Sequence, residues 1–164
     1  SLKVNKSSFH WQDVKSAKEM FEAAATIHDQ MDICVFAAAV ADYSPAEISP
    51  EKIKKSDDNL TVELVKNVDI ASKLGANKKR NQLHVGFALE TENEANNAQQ
   101  KLAKKNFDMI VLNSMKEPGA GFQVDTNKVY IFHSSGLKVQ SQVAPKDQIA
   151  ELIVDQIKNI PVWV

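Results

Sequence analysis

Lysines and acids gather at a few places in this chain where they could hold a polyanion. The stretch "AAAVADYSPAEISPEKIKK" (37–55) runs from an apolar strand end, through Asp42 and two prolines, to Lys52, Lys54 and Lys55. Lys66 and Asn67 precede a predicted helix, whose free first-turn amides would favour a phosphate. Lys101 and Lys105 are four apart and share a helix face. Each group alone suits a solvated surface. Converging on one sheet edge, they suit a phosphate-bearing ligand. Asp42 and Glu90 form a candidate pair for acid–base work or for magnesium, and plain ion pairs with the nearby lysines explain them equally well.

Other chemistries find less support. His10, His28, His84 and His133 show no metal-ligand spacing. Cys34, inside the apolar run "ICVFAAAVA", reads as a small buried hydrophobe, and a single cysteine excludes an internal disulfide. The five glycines form neither a dinucleotide fingerprint nor a Walker loop. "PGAGF" (118–122) reads as a turn.

The elements that must position these residues follow from periodicity. "SAKEMFEAAATIHDQ" (16–30) has helical apolar spacing, with Ser16 as its N-cap. "DICVFAAAV" (32–40), "LHVGFALE" (83–90) and "FDMIVLN" (107–113) are apolar runs suited to strands covered on both faces. "LTVELV" (60–65) reads as a further strand, rich in β-branched residues. Helices are expected over 68–78, where Asn67 is a candidate cap and Gly75 lies near the end, and over 92–106. "KVYIFHSSGLKVQSQ" (128–142) reads as an antiparallel hairpin, and 145–159 as a closing amphipathic helix with Pro145 near its first turn. Strands alternating with helices predict an α/β fold: a Rossmann-like, mainly parallel sheet with helices on both faces and a C-terminal antiparallel hairpin. Ligands of such sheets bind beyond the carboxyl ends of the strands, which selects 39–42, 66–67, 89–90 and 113–114.

With 164 residues the chain suits one domain. Its net charge of −1 gives no global field toward nucleic acid or membrane. No stretch approaches the roughly 20 apolar residues of a spanning helix. A single core-like cysteine suits a reducing cytoplasm. The opening "SLKVNKSSFHW" has no signal-peptide core and no initiator Met, so the chain is expected to be cut from something longer.

Five motifs, "AAAVADYSPAEISPEKIKK", "LVKNVDI", "HVGFALET", "QQKLAKKNFDMIVLN" and "GFQVDTNKV", occur in the order and spacing of one family. The chain resembles, over nearly its whole length, the phosphopantothenoylcysteine synthetase module, the C-terminal half of bacterial bifunctional coenzyme A biosynthesis proteins. The resemblance implies a single phosphopantothenate–cysteine ligase domain over 1–164, lacking the family's first βαβ unit and its glycine-rich "S-N-x-S-S-G" segment. It implies that 4′-phosphopantothenate and cysteine are joined with CTP and magnesium through an acyl-cytidylate.

The nucleotide contacts it implies are Phe36, Ala37, Ala38 and Asp42 at the first strand end, and Val65, Lys66, Asn67 and Val68 around "VKN". They continue with Phe87 of "GF" and with Lys101 and Lys105 of the helix. Lys52, which opens "KIKK", is implied to contact the nucleotide and take part in catalysis. The metal ligands stay unassigned. The resemblance further implies a cytoplasmic homodimer, and FMN only where a flavin decarboxylase domain is fused. A non-catalytic nucleotide-binding module is the alternative reading. A nicotinamide oxidoreductase fragment is disfavoured by the missing fingerprint.

Overall fold

A computed structural model describes residues 9–47, 49–53, 59–114 and 124–161. The expected turn at 118–122, and with it Lys54 and Lys55, lies outside the described residues. The chain opens with α1 (Ala17–His28), whose Ser16 Oγ accepts the Glu19 amide at 3.1 Å, as the cap pattern predicts. Then come β1 (Ile33–Phe36), β2 (Tyr43–Pro45), β3 (Leu64–Lys66), α2 (Ile70–Ala76), β4 (Leu83–Glu90), α3 (Glu94–Lys104) and β5 (Met109–Ser114). The C-terminal part holds β6 (Thr126–Asn127), β7 (Val129–His133), β8 (Lys138–Gln140), β9 (Ala144–Pro145) and α4 (Lys146–Lys158).

The central sheet has the order β1-β4-β5-β7-β8. β1, β4 and β5 run parallel, and β7 and β8 complete the sheet antiparallel, as the α/β reading with a terminal hairpin expects. Gly136, at φ 91°, supplies the left-handed residue of the β7–β8 turn.

Three expectations need correction. The strand read over 32–40 spans only Ile33–Phe36, and it is not covered on both faces, since Ile33 and Val35 are exposed. The strand read over 60–65 shrinks to Leu64–Lys66 and stays outside the central sheet, pairing antiparallel with β2 in a ribbon of its own. Leu60, Val62 and Leu64 alternate as a strand should, but all three are exposed, so no second layer draws the segment into the core. Helix α2 is capped by Asp69, not by Asn67: the Asp69 carboxylate accepts the Ser72 amide at 3.0 Å.

The period-2 alternation of β4 and β5 divides the core into two layers. On one face Val85, Met109, Val111, Val129 and Ile131 pack against Ile149 and Ile153 of α4. On the other, Ala88, Ile110, Leu112, Phe107 and Phe132 pack against Ala98 of α3, with Phe36, Ala71 and Leu102 at the margin. Each fully buried large side chain contributes about 1.5–3 kcal/mol of transfer free energy. Gly86 is the seat of the Phe107 ring, since a Cβ there would fall 2.1 Å from its nearest carbon.

Gly75 performs a similar service between helices. A Cβ on it would meet the Lys105 carbonyl oxygen at 2.1 Å, and Asn106 Nδ2 donates to the Gly75 carbonyl at 2.9 Å. This close approach holds α2 against the end of α3. Gly75→Ala sets two effects against each other. Alanine is favoured in a helix by about 1 kcal/mol, but the clash here is with backbone, which has no rotamer to yield. A net loss of about 1–2 kcal/mol is expected by urea denaturation; a more stable variant would contradict the close packing.

Candidate functional site

β1 ends at Phe36, and the chain then runs irregularly over the carboxyl end of the strand before β2 begins at Tyr43. This run is fixed by one side chain. Asn67 Nδ2 donates to the Ala41 carbonyl at 2.9 Å, and Asn67 Oδ1 accepts from Ser44 Oγ at 2.9 Å. The Asn67 amide donates to the Asp42 carbonyl at 2.8 Å. Three bonds therefore tie the strand-end loop to the segment that carries Lys66.

Beneath the loop lies a cleft of about 740 Å³, walled by α1, β1, the loop, 66–71 of the β3–α2 segment and the end of α3. That volume is in the range that holds a nucleotide-sized ligand. Of the residues expected from the sequence, Phe36, Ala37, Ala38, Asp42, Lys66, Asn67, Val68 and Lys105 line it. Val65 is exposed in β3, opposite Ser44. Phe87 packs in the core layer under α4, because it alternates with Gly86, the partner of Phe36. Lys101 forms an ion pair with Glu90, which also accepts from Asn97, so Glu90 is not paired with Asp42 in the cleft. Lys52 is exposed and outside the cleft walls.

The cleft also brings in groups that the sequence argument passes over. Lys104 lines it beside Lys105, and Met20, Ala24, Ile27 and His28 of α1 form its far wall. The signal for Lys104 was its place in the last turn of α3. The signal for α1 was the apolar stripe itself.

Lys105 Nζ lies 3.0 Å from Asp69 Oδ1. Burial works to raise the Asp69 carboxyl, but the Ser72 amide and the Lys105 ammonium outweigh it and hold the group below the usual carboxylate range. The first-turn amide of α2 that might have met a phosphate is thus already taken, and α2 is only seven residues long. The cationic side chains that line the cleft are Lys66, Lys104 and Lys105. Asp42 makes no side-chain hydrogen bond or ion pair among the described residues.

At the amino end of β1 the histidines contradict their uninformative spacing. Parallel pairing sets Cys34 opposite His84, and the end of α1 places His28 Nε2 3.1 Å from His84 Nε2. Cys34 is half-buried, not fully buried as its apolar run suggests. His84 is wholly buried, and desolvation, with smaller contributions from Lys78 and His28, pushes its pKa down from 6.5 to about 4.

A model of the DNA/pantothenate metabolism flavoprotein C-terminal domain matches residues 1–160. The chain belongs to this family. It is 43% identical over 160 residues to a cysteine/cysteine sulfinic acid decarboxylase of an unknown prokaryotic organism, covering 98% of this chain and 45% of that protein. It is 41% identical over 157 residues to the coenzyme A biosynthesis bifunctional protein CoaBC of Bacillus subtilis, covering 96% of this chain and 38% of the relative. Among solved structures, the C-terminal domain of a CoaBC protein aligns with TM-score 0.69 at 36% identity, over 88% of this chain and 64% of that one. The chain spans less than half the length of these curated relatives. The family named from the five motifs is thereby met, and the chain is similar to a domain of coenzyme A biosynthesis proteins.

The buried His84 makes stability depend on pH. Below pH 6.5 the unfolded chain takes up a proton that the folded ring refuses until about pH 4, so stability is lost as pH falls through this window. Between pH 7 and 5.5 the loss from this ring is expected to be about 1 kcal/mol. Urea denaturation at the two pH values should show it, and His84→Gln should reduce the difference; an unchanged pH slope in the variant would remove His84 as the cause.

Proposed function

We propose that this domain joins 4′-phosphopantothenate to cysteine at the expense of CTP, as a step of coenzyme A biosynthesis. The observation that carries this reading is the cleft, where the ordered loop 37–42 and three lysines from two other segments face one volume. Family membership supports the ligase reading, and the choice of CTP follows the motif resemblance.

The chemistry asks for what the cleft offers. The pantothenate carboxylate attacks the α-phosphorus of CTP and pyrophosphate leaves. The amine of cysteine then displaces CMP from the acyl-cytidylate, forming the amide and releasing a proton. The first step brings two anions together. Lys66, Lys104 and Lys105 neutralise that charge, and each such contact is worth several kcal/mol once water is excluded. In this reading, backbone groups of 37–42 hydrogen-bond the base. Asp42 is the lining carboxylate left to take the ribose or the magnesium, whose chemistry is to screen the triphosphate. Lys52 keeps its proposed catalytic role, and its place outside the cleft walls requires the 49–53 segment to approach when nucleotide binds.

The surrounding biology is part of the same proposal: a cytoplasmic protein with phosphopantothenate, cysteine and CTP as partners and, in the complete protein, a fused flavin decarboxylase domain carrying FMN. A homodimer, implied by the motif resemblance, is supported by the edge strand β8, which among the described residues is paired on one side only. No helix among the described residues is long and apolar enough to cross a membrane.

The complete protein, given CTP, magnesium, phosphopantothenate and cysteine, is expected to release CMP and pyrophosphate in equal amounts. Lys52→Gln should slow this at least about 100-fold while leaving the melting temperature nearly unchanged. Nucleotide binding without CMP release would leave a non-catalytic module. Full activity in Lys52→Gln would make that lysine ordinary surface.

A further inference from the structure

We propose that His28, Cys34 and His84 form a site for one thiophilic divalent cation, zinc being the natural occupant, with a fourth coordination position toward the cleft. One ligand atom from each of the three residues lies within 4.8 Å of the other two. Three elements build the cluster. Cys34 and His84 are direct partners in the β1–β4 pairing, so their side chains stand side by side on one face of the sheet. His28, the last residue of α1, reaches the same face.

The spacing approaches that of ligands around one ion. Tetrahedral zinc with bonds of about 2.0–2.3 Å sets its ligand atoms roughly 3.3–3.8 Å apart. The two Nε2 atoms, 3.1 Å apart, are already close to that separation. His28 Nδ1 lies 3.4 Å from Asp29 Oδ1, the outer carboxylate contact that turns Nε2 of a ligating histidine inward.

A plain histidine–histidine hydrogen bond explains less. It accounts for the two Nε2 atoms but gives Cys34 no part, although strand pairing sets Cys34 beside His84. Burial raises the Cys34 thiol, so in the metal-free protein it stays protonated. Binding therefore releases the Cys34 proton to solvent as the sulfur–metal bond forms.

This site is separate from the nucleotide end of the cleft. It lies at the amino end of β1, whereas the lysines gather beyond the carboxyl end. Its nitrogen and sulfur donors also disfavour magnesium, which takes oxygen ligands. His28 and Cys34 both line the cleft, which gives an ion its path in.

Cobalt(II) is the probe, because thiolate ligation and tetrahedral geometry both leave visible marks. Chelator-stripped protein titrated with cobalt should develop a thiolate-to-metal charge-transfer band and intense d–d bands, saturating at one equivalent. One proton should be released per ion bound, and zinc should displace the cobalt. Cys34→Ser should abolish the charge-transfer band with an unchanged circular dichroism spectrum. Asp29→Asn, which leaves all three ligands in place, should weaken binding about 10-fold. Absence of the intense bands in the folded wild-type protein would overturn the site. So would d–d bands that keep their intensity and affinity in Cys34→Ser, since ligands other than Cys34 would then hold the ion. None of these readouts depends on ligase activity, so this test and the CMP assay fail independently.

Discussion

The parallel pairing of β1 with β4 is the constraint on which the rest depends. It is short, four residues from Ile33↔Leu83 to Phe36↔Gly86. Within that span it seats Phe36 beside a glycine that leaves room for Phe107, and it sets Cys34 against His84. It also decides where the chain leaves the sheet. β4 continues to Glu90 while β1 stops at Phe36, so the following residues emerge over a step in the sheet. The cleft opens at that step.

From there the site is organised by backbone more than by charge. Asn67 is bound through its side chain to Ala41 and Ser44 and through its amide to Asp42, which makes it a strut for the loop. The cationic groups are arranged around this frame. Lys105 is tethered to Asp69, whose other duty is to cap α2. The packing of Gly75 against Lys105 and the position of the ammonium are thus one problem: a shift of α2 moves both.

Local chemistry was well written in the sequence. The Ser16 cap, the Ser-Gly turn, Pro145 at the start of α4 and the apolar runs of β4 and β5 each depend on neighbours a few residues away. What depends on distant partners was less legible. The segment before Asn67 has the composition of a strand, but only tertiary pairing tells that its partner is the ribbon strand β2. A helix period puts Lys101 and Lys105 on one face, yet Glu90 at the end of β4 draws Lys101 away and leaves Lys104 to join Lys105 at the cleft. Phe36 and Phe87 looked alike as strand aromatics, and register sends them to opposite layers. The His28–Cys34–His84 grouping has no sequence spacing to read, because strand pairing alone brings position 84 to position 34.

The separation between those two strands also bears on the order of assembly. β7 and β8 join through a tight turn, and β5 is linked to β4 by the single helix α3. These are short closures that a chain makes quickly. β1 must wait for a partner some fifty residues away, with the β2–β3 ribbon and α2 in between. Its closure carries the larger entropic penalty and only four residue pairs to offset it. Chain entropy therefore favours early pairing of β4, β5 and the hairpin, and the cleft, which needs β1 as a wall, is complete only once β1 has docked.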